Sequence, residues 1–270
     1  MPFRIGTTSY IYRDDILPNV RLLAPQVDDV ELVLFEVEEA NNLPTMKEIA
    51  ELRQLAATHD LTYTVHLPLD LQLATANETE RRASVAKARR VIEATRPLEP
   101  WGYVIHVNVA AYRRSSNPIP GGARPPDGWE AWQARARCSL ETLAETTGEV
   151  DLLCLENVES YPPQHLLPLA DELEASLCLD VGHLLMQGLD PLAYLDDYLG
   201  RGTRVIHLHG LTHGRDHRSL IHMDTNLLRA VLARLRAQAF VHVVTVEVFS
   251  ERDLVSSKEL LKTMWPSIKV

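Results

Sequence analysis

Eight short apolar, β-branched runs recur along this chain, and each is followed by a longer stretch whose apolar residues fall at helical spacing. The strand-like runs are 3–9, 30–36, 61–66, 102–108, 152–157, 176–181, 203–208 and 242–248; the helical stretches lie near 15–25, 45–58, 78–95, 127–146, 163–174, 189–199, 223–237 and 251–263. Strict alternation of this kind demands parallel pairing, because parallel strands need a crossover connection. Eight such units can close on themselves, whereas an open doubly wound sheet normally uses fewer strands and a Gly-rich nucleotide turn. Neither GxGxxG nor GxxxxGK[ST] occurs. The pattern therefore predicts a single (β/α)8 TIM barrel over residues 1–270, with an open sheet as the alternative.

Local signals agree with this division. Thr45 stands three residues before Glu48, the spacing of a capping box, and Pro191 follows Asp190 where a first-turn proline belongs. One segment breaks the rhythm: 109–127, VAAYRRSSNPIPGGARPPD, is rich in Pro, Gly and Ser and follows the fourth strand, so it reads as a long loop. Long loops in compact domains tend to carry function or to be solvated excursions. This one holds Arg113, Arg114 and Arg124, which could meet an anionic substrate.

Composition narrows the classes of function. A net charge of −10 weighs against broad nucleic-acid binding, which draws its affinity from Lys and Arg neutralising phosphates. No unbroken apolar run approaches ~18 residues, and the start of the chain lacks a secretion pattern, so no membrane association is expected. Three cysteines, Cys138, Cys154 and Cys178, do not make a disulfide framework, and a reduced, cytoplasmic setting is the expectation.

In a barrel the reactive face lies at the C-terminal ends of the strands. Here those ends carry one kind of residue: His66 in YTVHLP, His106 in VIHVN, Glu156 in LCLEN, Asp180 and His183 in LCLDVGH, His207 and His209 in VIHLHG, and Glu247 in VTVEVF. Alternation along each strand pairs His66 with Thr64, His106 with Val104, Glu156 with Cys154, Asp180 with Cys178, and Glu247 with Thr245. Compact residues beneath polar ones are what a barrel lumen requires. Carboxylates converging there need a cation or a dense hydrogen-bond network, and Asp, Glu and His together are a ligand set for zinc, manganese or iron. The loop GRDHRSLIHMD adds Asp216, His217 and, less favourably placed, His222. His59, His165 and His242 read as structural or solvated.

The succession VHLPL, IHVN, ENVES, LDVGHLLMQGLD, HLHG, GRDH and VEVF resembles the xylose-isomerase-like TIM barrel superfamily, including its apurinic-endonuclease branch, over essentially the whole chain. More narrowly, residues 6–36, LTYTVHLPLD at 61–70, LCLDVGHLL and VIHLHG resemble the cobamide-remodelling phosphodiesterases of the CbiR type. The superfamily resemblance implies a cluster of two or three divalent ions, Zn2+ or Mn2+. Glu156, His66 and His106 would hold the first; Glu156, Asp180, His207 and Glu247 the second; His183, Asp216 and His217 the third. The pattern departs from the endonuclease branch in two places: Asp216 and His217 are adjacent rather than separated by one residue, and His209-Gly210 replaces Asn-Asp, which makes His209 an extra candidate ligand or acid-base group.

The narrower resemblance implies hydrolysis of a phosphoester in the nucleotide loop of an adenosylated cobamide, a small corrinoid substrate, giving an α-riboside and cobinamide phosphate. Glu156, Glu247 and His209 are the candidate catalytic groups, and Tyr10 and Tyr12, after the first strand, are candidates for packing on the corrinoid or base. A metal-dependent sugar isomerase or epimerase is the alternative, using one ion held by Glu156, Asp180, His207 or His209, and Glu247. A DNA-repair endonuclease comes third, since its ligands fit but the charge does not.

Overall fold

The computed structural model describes residues 3–37, 40–109 and 122–265. In chain order the strands are β1 Arg4–Thr8, β2 Asp29–Val33, β3 Glu36–Val37, β4 Ala40–Asn41, β5 Thr62–His66, β6 Tyr103–Ile105, β7 Leu153–Glu156, β8 Ser176–Asp180, β9 Thr203–Leu208, β10 Gly210–Thr212, β11 Arg215–Arg218 and β12 Val243–Val246. The helices are α1 Ile16–Leu23, α2 Met46–His59, α3 Glu78–Thr95, α4 Trp129–Thr147, α5 Leu167–Leu173, α6 Val181–Met186, α7 Pro191–Gly200, α8 Thr225–Ala237 and α9 Glu251–Met264.

Eight strands close into a barrel in the order β1-β12-β9-β8-β7-β6-β5-β2, and every pairing is parallel. Each sits on one of the runs read from the sequence. Alternation sorts their side chains: Val30 and Leu32 join the large core under the helices, while Asp29 and Glu31 take the opposite face. Inside the barrel, Val104, Cys154, Cys178 and Val205 form a separate apolar cluster. This is the floor on which the strand-end polar groups stand, and it contains the small partners inferred for His106, Glu156 and Asp180.

The caps are those the sequence announces. Thr45 Oγ1 accepts from the Glu48 amide while the Glu48 carboxylate accepts from the Thr45 amide at 2.7 Å, and Asp190 accepts from the Leu192 amide at 3.0 Å. Asp180 does more than end a strand: its Oδ1 accepts from the His183 amide at 2.6 Å and so caps α6, a short helix that the periodicity does not reveal. The β10–β11 hairpin falls where the sequence pattern predicts only loop, and the antiparallel pair β3–β4 begins at Glu36, the last residue of the run 30–36. The stretch 163–174 divides into a 3-10 turn, Pro163–His165, and α5. Of the long loop expected at 109–127, residues 110–121, including Arg113 and Arg114, lie outside the described residues. Among the described residues no helix is long and apolar enough to cross a membrane.

Candidate metal centre

Four overlapping groups of side chains meet toward the C-terminal mouth of the barrel among the described residues, one of them Glu156, Cys178 and His207. The central one is Glu156, Asp180, His207 and Glu247, from β7, β8, β9 and the residue after β12, all buried. His207 Nδ1 lies 3.2 Å from Glu247 Oε2, 3.3 Å from Glu156 Oε1 and 3.8 Å from Asp180 Oδ2. Yet Glu156 Oε1, Glu247 Oε2 and His207 Nδ1 are buried without a hydrogen-bond partner. Lone pairs that converge while making no hydrogen bond among themselves are what a divalent cation would satisfy. The donor set fits the metal that the sequence implied.

On one side of this group, His66 and His106 face the other oxygen of the same carboxylate. Glu156 Oε2 is 2.8 Å from His106 Nε2 and 3.3 Å from His66 Nε2, and His66 Nδ1 meets the Leu67 carbonyl at 2.8 Å, which turns Nε2 toward Glu156. Glu156 thus presents one oxygen to each group. On the other side stand His183, His209 and His217. His209 Nε2 is 3.2 Å from Asp180 Oδ2, and its Nδ1 accepts from the His217 amide at 3.1 Å. His217 adopts φ +52° in the β10–β11 hairpin, left-handed backbone that a non-glycine residue holds only under constraint, and its Nε2 lies 3.3 Å from Glu247 Oε2.

This third group differs from the expected set. Asp216 is not among its members; its carboxylate lies 3.1 Å from His217 Nδ1, behind the imidazole, and His209 stands in its place. The Asp216 carboxylate is instead engaged with His217 Nδ1, the ring nitrogen opposite the Nε2 that faces Glu247. His222 lies exposed in a 3-10 turn. Tyr10 is half-buried beside α1, its hydroxyl 3.3 Å from Asn42 Nδ2, and lines a cavity of about 170 Å³ with Asp15, Asn41 and Glu48. Tyr12 packs against the core. Arg124 is exposed near His165, whose ring stacks on Trp129; burial first, then the Arg124 charge, lowers the His165 pKa. His242 accepts from the Trp101 indole at 3.2 Å, the structural role expected of it.

Burial and charge oppose each other throughout the centre. Burial alone would raise the Glu156 and Glu247 carboxyls, but the facing imidazoles hold both well below the usual range: His106 and His207 for Glu156, His207 and His217 for Glu247. Burial would likewise lower the histidines. The surrounding carboxylates prevail, raising His66, His207 and His217 and bringing His183 to about 9. The His217 hydrogen bond draws Asp216 down to about 2. A cation entering here has to displace protons from imidazoles.

Three contributors escaped the sequence reading. Glu31 on β2 is wholly buried, with Oε2 2.9 Å from His207 Nε2. Gly182 leaves room for the His209 ring, which a methyl at that position would overlap. Phe249, 44% exposed at the rim, sets its ring 5.2 Å from that of His217. Glu31 was within reach: applying the face-parity argument to the second strand, not only to strand ends, puts Asp29 and Glu31 in the lumen.

A closed parallel barrel with acids and imidazoles gathered at its C-terminal mouth defines the class of the protein, a TIM barrel with a candidate metal centre. The chain belongs to the xylose isomerase-like TIM barrel family, whose model matches residues 27–264. It is 24% identical to the uncharacterized protein MJ1311 of Methanocaldococcus jannaschii over 281 aligned residues, covering 97% of this chain and 89% of that one. Among solved structures it is similar to a D-tagatose 3-epimerase-like protein (TM-score 0.79, 21% identity, 98% and 97% of the two chains). It is also similar to endonuclease IV of Thermus thermophilus (0.68, 19%, 96% and 99%) and to the IOLI protein with a binding zinc atom (0.71, 14%, 97% and 98%). At these identities the structural likenesses establish the fold, and family membership does not choose among its activities.

Proposed function

We propose that the protein is a metal-dependent phosphodiesterase that hydrolyses a phosphoester in the nucleotide loop of an adenosylated cobamide, yielding an α-riboside and cobinamide phosphate. The observation that carries this reading is the number of ligand groups. Glu156, Asp180, His207 and Glu247 would suffice for one cation, yet His66 with His106 and His183 with His209 and His217 flank them. Such surplus is superfluous for a one-ion enzyme and useful for a charged phosphoryl group. Divalent ions, Zn2+ or Mn2+, would supply an activated water and polarise the phosphoryl oxygens. Zinc in the IOLI structure makes that metal the first to test.

The chain's own residues then have distinct tasks. Glu156 ties two ligand groups together through its two oxygens, and Glu247 links His207 to His217. His209 holds Asp180 in place and is positioned to pass a proton at Nε2. Tyr10, Tyr12, Arg113, Arg114 and Arg124 are assigned to the corrinoid and its phosphate. Hydrolysis forms a water-oxygen bond to phosphorus, breaks the bond to the leaving oxygen, and returns a proton to that oxygen. The test is incubation of metal-loaded protein with adenosylcobamide, reading released α-riboside chromatographically. Release supports the proposal; no release, with turnover of a ketose, overturns it.

A second reading has a specific observation behind it. The central group is complete for one cation and carries carboxylates on both sides, the arrangement for moving protons beside a carbonyl, and structural neighbours include a D-tagatose 3-epimerase-like protein. Under that reading the flanking histidines are unexplained. Endonuclease activity, suggested by the likeness to endonuclease IV, runs against the net charge of −10.

A further inference from the structure

We propose that Glu31 is a positioning residue that fixes the His207 imidazole for cation binding, an inference that rests on the metal-dependent reading above. A ligating imidazole typically donates its other ring N–H to a carboxylate, carbonyl or water, and a carboxylate there sets the ring's tautomer and orientation and raises its basicity. His207 has that arrangement. Its Nε2 meets Glu31 Oε2 at 2.9 Å, while Nδ1 faces Glu156, Asp180 and Glu247. Glu31 and His207 are both wholly buried, so water cannot substitute for either.

The fold explains why the partner comes from β2. In the barrel β9 and β2 are separated by β12 and β1, with His207 level with Thr245, Thr245 with Gly6, and Gly6 with Asp29. Gly6 lacks a side chain and its Cβ position is already crowded by Asp29, so no β1 side chain intervenes at that level. A glutamate two residues beyond Asp29 then reaches across the lumen to β9. Glu31 lies beneath the ligand groups and outside all of them; it acts through His207.

The experiment titrates metal-free protein with Zn2+ in competition with a chromophoric chelator, and measures denaturant unfolding of the same metal-free samples. Glu31→Met removes the acceptor at similar volume, Glu31→Gln keeps an oxygen at the same reach, and His207→Ala removes the ligand. The expected result is loss of one Zn2+ class in His207→Ala, a 10–100-fold weakening of that class in Glu31→Met, and a smaller loss in Glu31→Gln. The metal-free Glu31→Met protein should be less stable than wild type, because removing one partner of a buried pair strands the His207 Nε2–H, so the discriminating reading is whether one Zn2+ class or every class weakens. Unchanged affinity in Glu31→Met beside a lost class in His207→Ala overturns the inference and leaves the metal reading standing. Weakening of every Zn2+ class in step with lost stability also overturns it, by making Glu31 merely structural. Wild-type binding in His207→Ala overturns the metal reading itself.

Discussion

Replacing Gly182 with alanine adds one methyl group and strikes the centre at a calculable point. Gly182 lies in the first turn of α6 against the His209 ring, and a Cβ there would lie 2.5 Å from His209 Nδ1, with Nε2 and Cε1 nearer still. Ordinary non-bonded contact begins near ~3.5 Å and His209 Cε1 would lie at 2.1 Å, so ring or helix must retreat by about 1.4 Å. His209 cannot retreat freely, being tied to Asp180 at 3.2 Å and to the His217 amide at 3.1 Å. Overpacking of this kind costs about 1–3 kcal/mol, and loss of a hydrogen bond to a charged group about 1.5–3 kcal/mol more, giving roughly 3–6 kcal/mol. A 1 Å misplacement at a reacting centre costs on the order of 10²-fold in rate. Gly200→Ala is the control, because nothing lies within 4 Å of a Cβ there; its expected effect is within about 1 kcal/mol. Urea unfolding of both metal-free variants, with phosphodiesterase assay of the zinc-loaded proteins, makes the comparison. A Gly182→Ala protein as stable and active as Gly200→Ala would refute the packing argument.

Asp29 offers a pH-resolved prediction. Burial raises its carboxyl to about 7, so the native state opposes ionisation by about 4 kcal/mol relative to an unfolded chain at 3.8. Stability favouring the protonated form is complete below 3.8 and lost as pH rises through 7. Asp29→Asn should therefore match wild type at pH 4 and exceed it by up to about 4 kcal/mol at pH 8 in denaturant titrations; a pH-independent difference would contradict this. His183, raised to about 9, also contributes stability that is full below ~6.5 and disappears as pH climbs past 9, so metal-free His183→Gln should lose its deficit at high pH. Zinc affinity should move the other way, strengthening from pH 6 to 9 as protons leave the imidazoles, read by chelator competition. Phe249→Ala should raise KM for a large corrinoid with little change in metal affinity, as expected of a rim aromatic that touches His217 only by its edge; an unchanged KM would remove it from the substrate path.

The barrel was legible because its signal is repeated: each strand-helix unit restates the same periodicity, so an error at one boundary leaves the topology intact. The centre was legible for a related reason. His66, His106, Glu156, Asp180, His207 and Glu247 all end apolar strands, and closure alone brings strand ends together. What the sequence left hidden depends on contacts between distant elements. His209 takes the position expected of Asp216 because β10 and β11 pair as a hairpin, and the turn at His213 and Gly214 that sets its register carries little periodic signal. Glu31 sits inside a nearly continuous apolar run, where its lumenal direction becomes visible only once β2 is paired with β1 and β5. Gly182 reads as an ordinary glycine until the His209 ring is seen above it.

On the proposed reading, Glu156 joins neighbouring cation sites at one mouth of the barrel. Anomalous diffraction at the zinc edge, from crystals of the zinc-loaded protein, tests it most directly. Two or three peaks are expected, one within reach of Glu156, Asp180, His207 and Glu247 and another within reach of Glu156, His66 and His106. A single peak confined to the first set, or none at either, would contradict it.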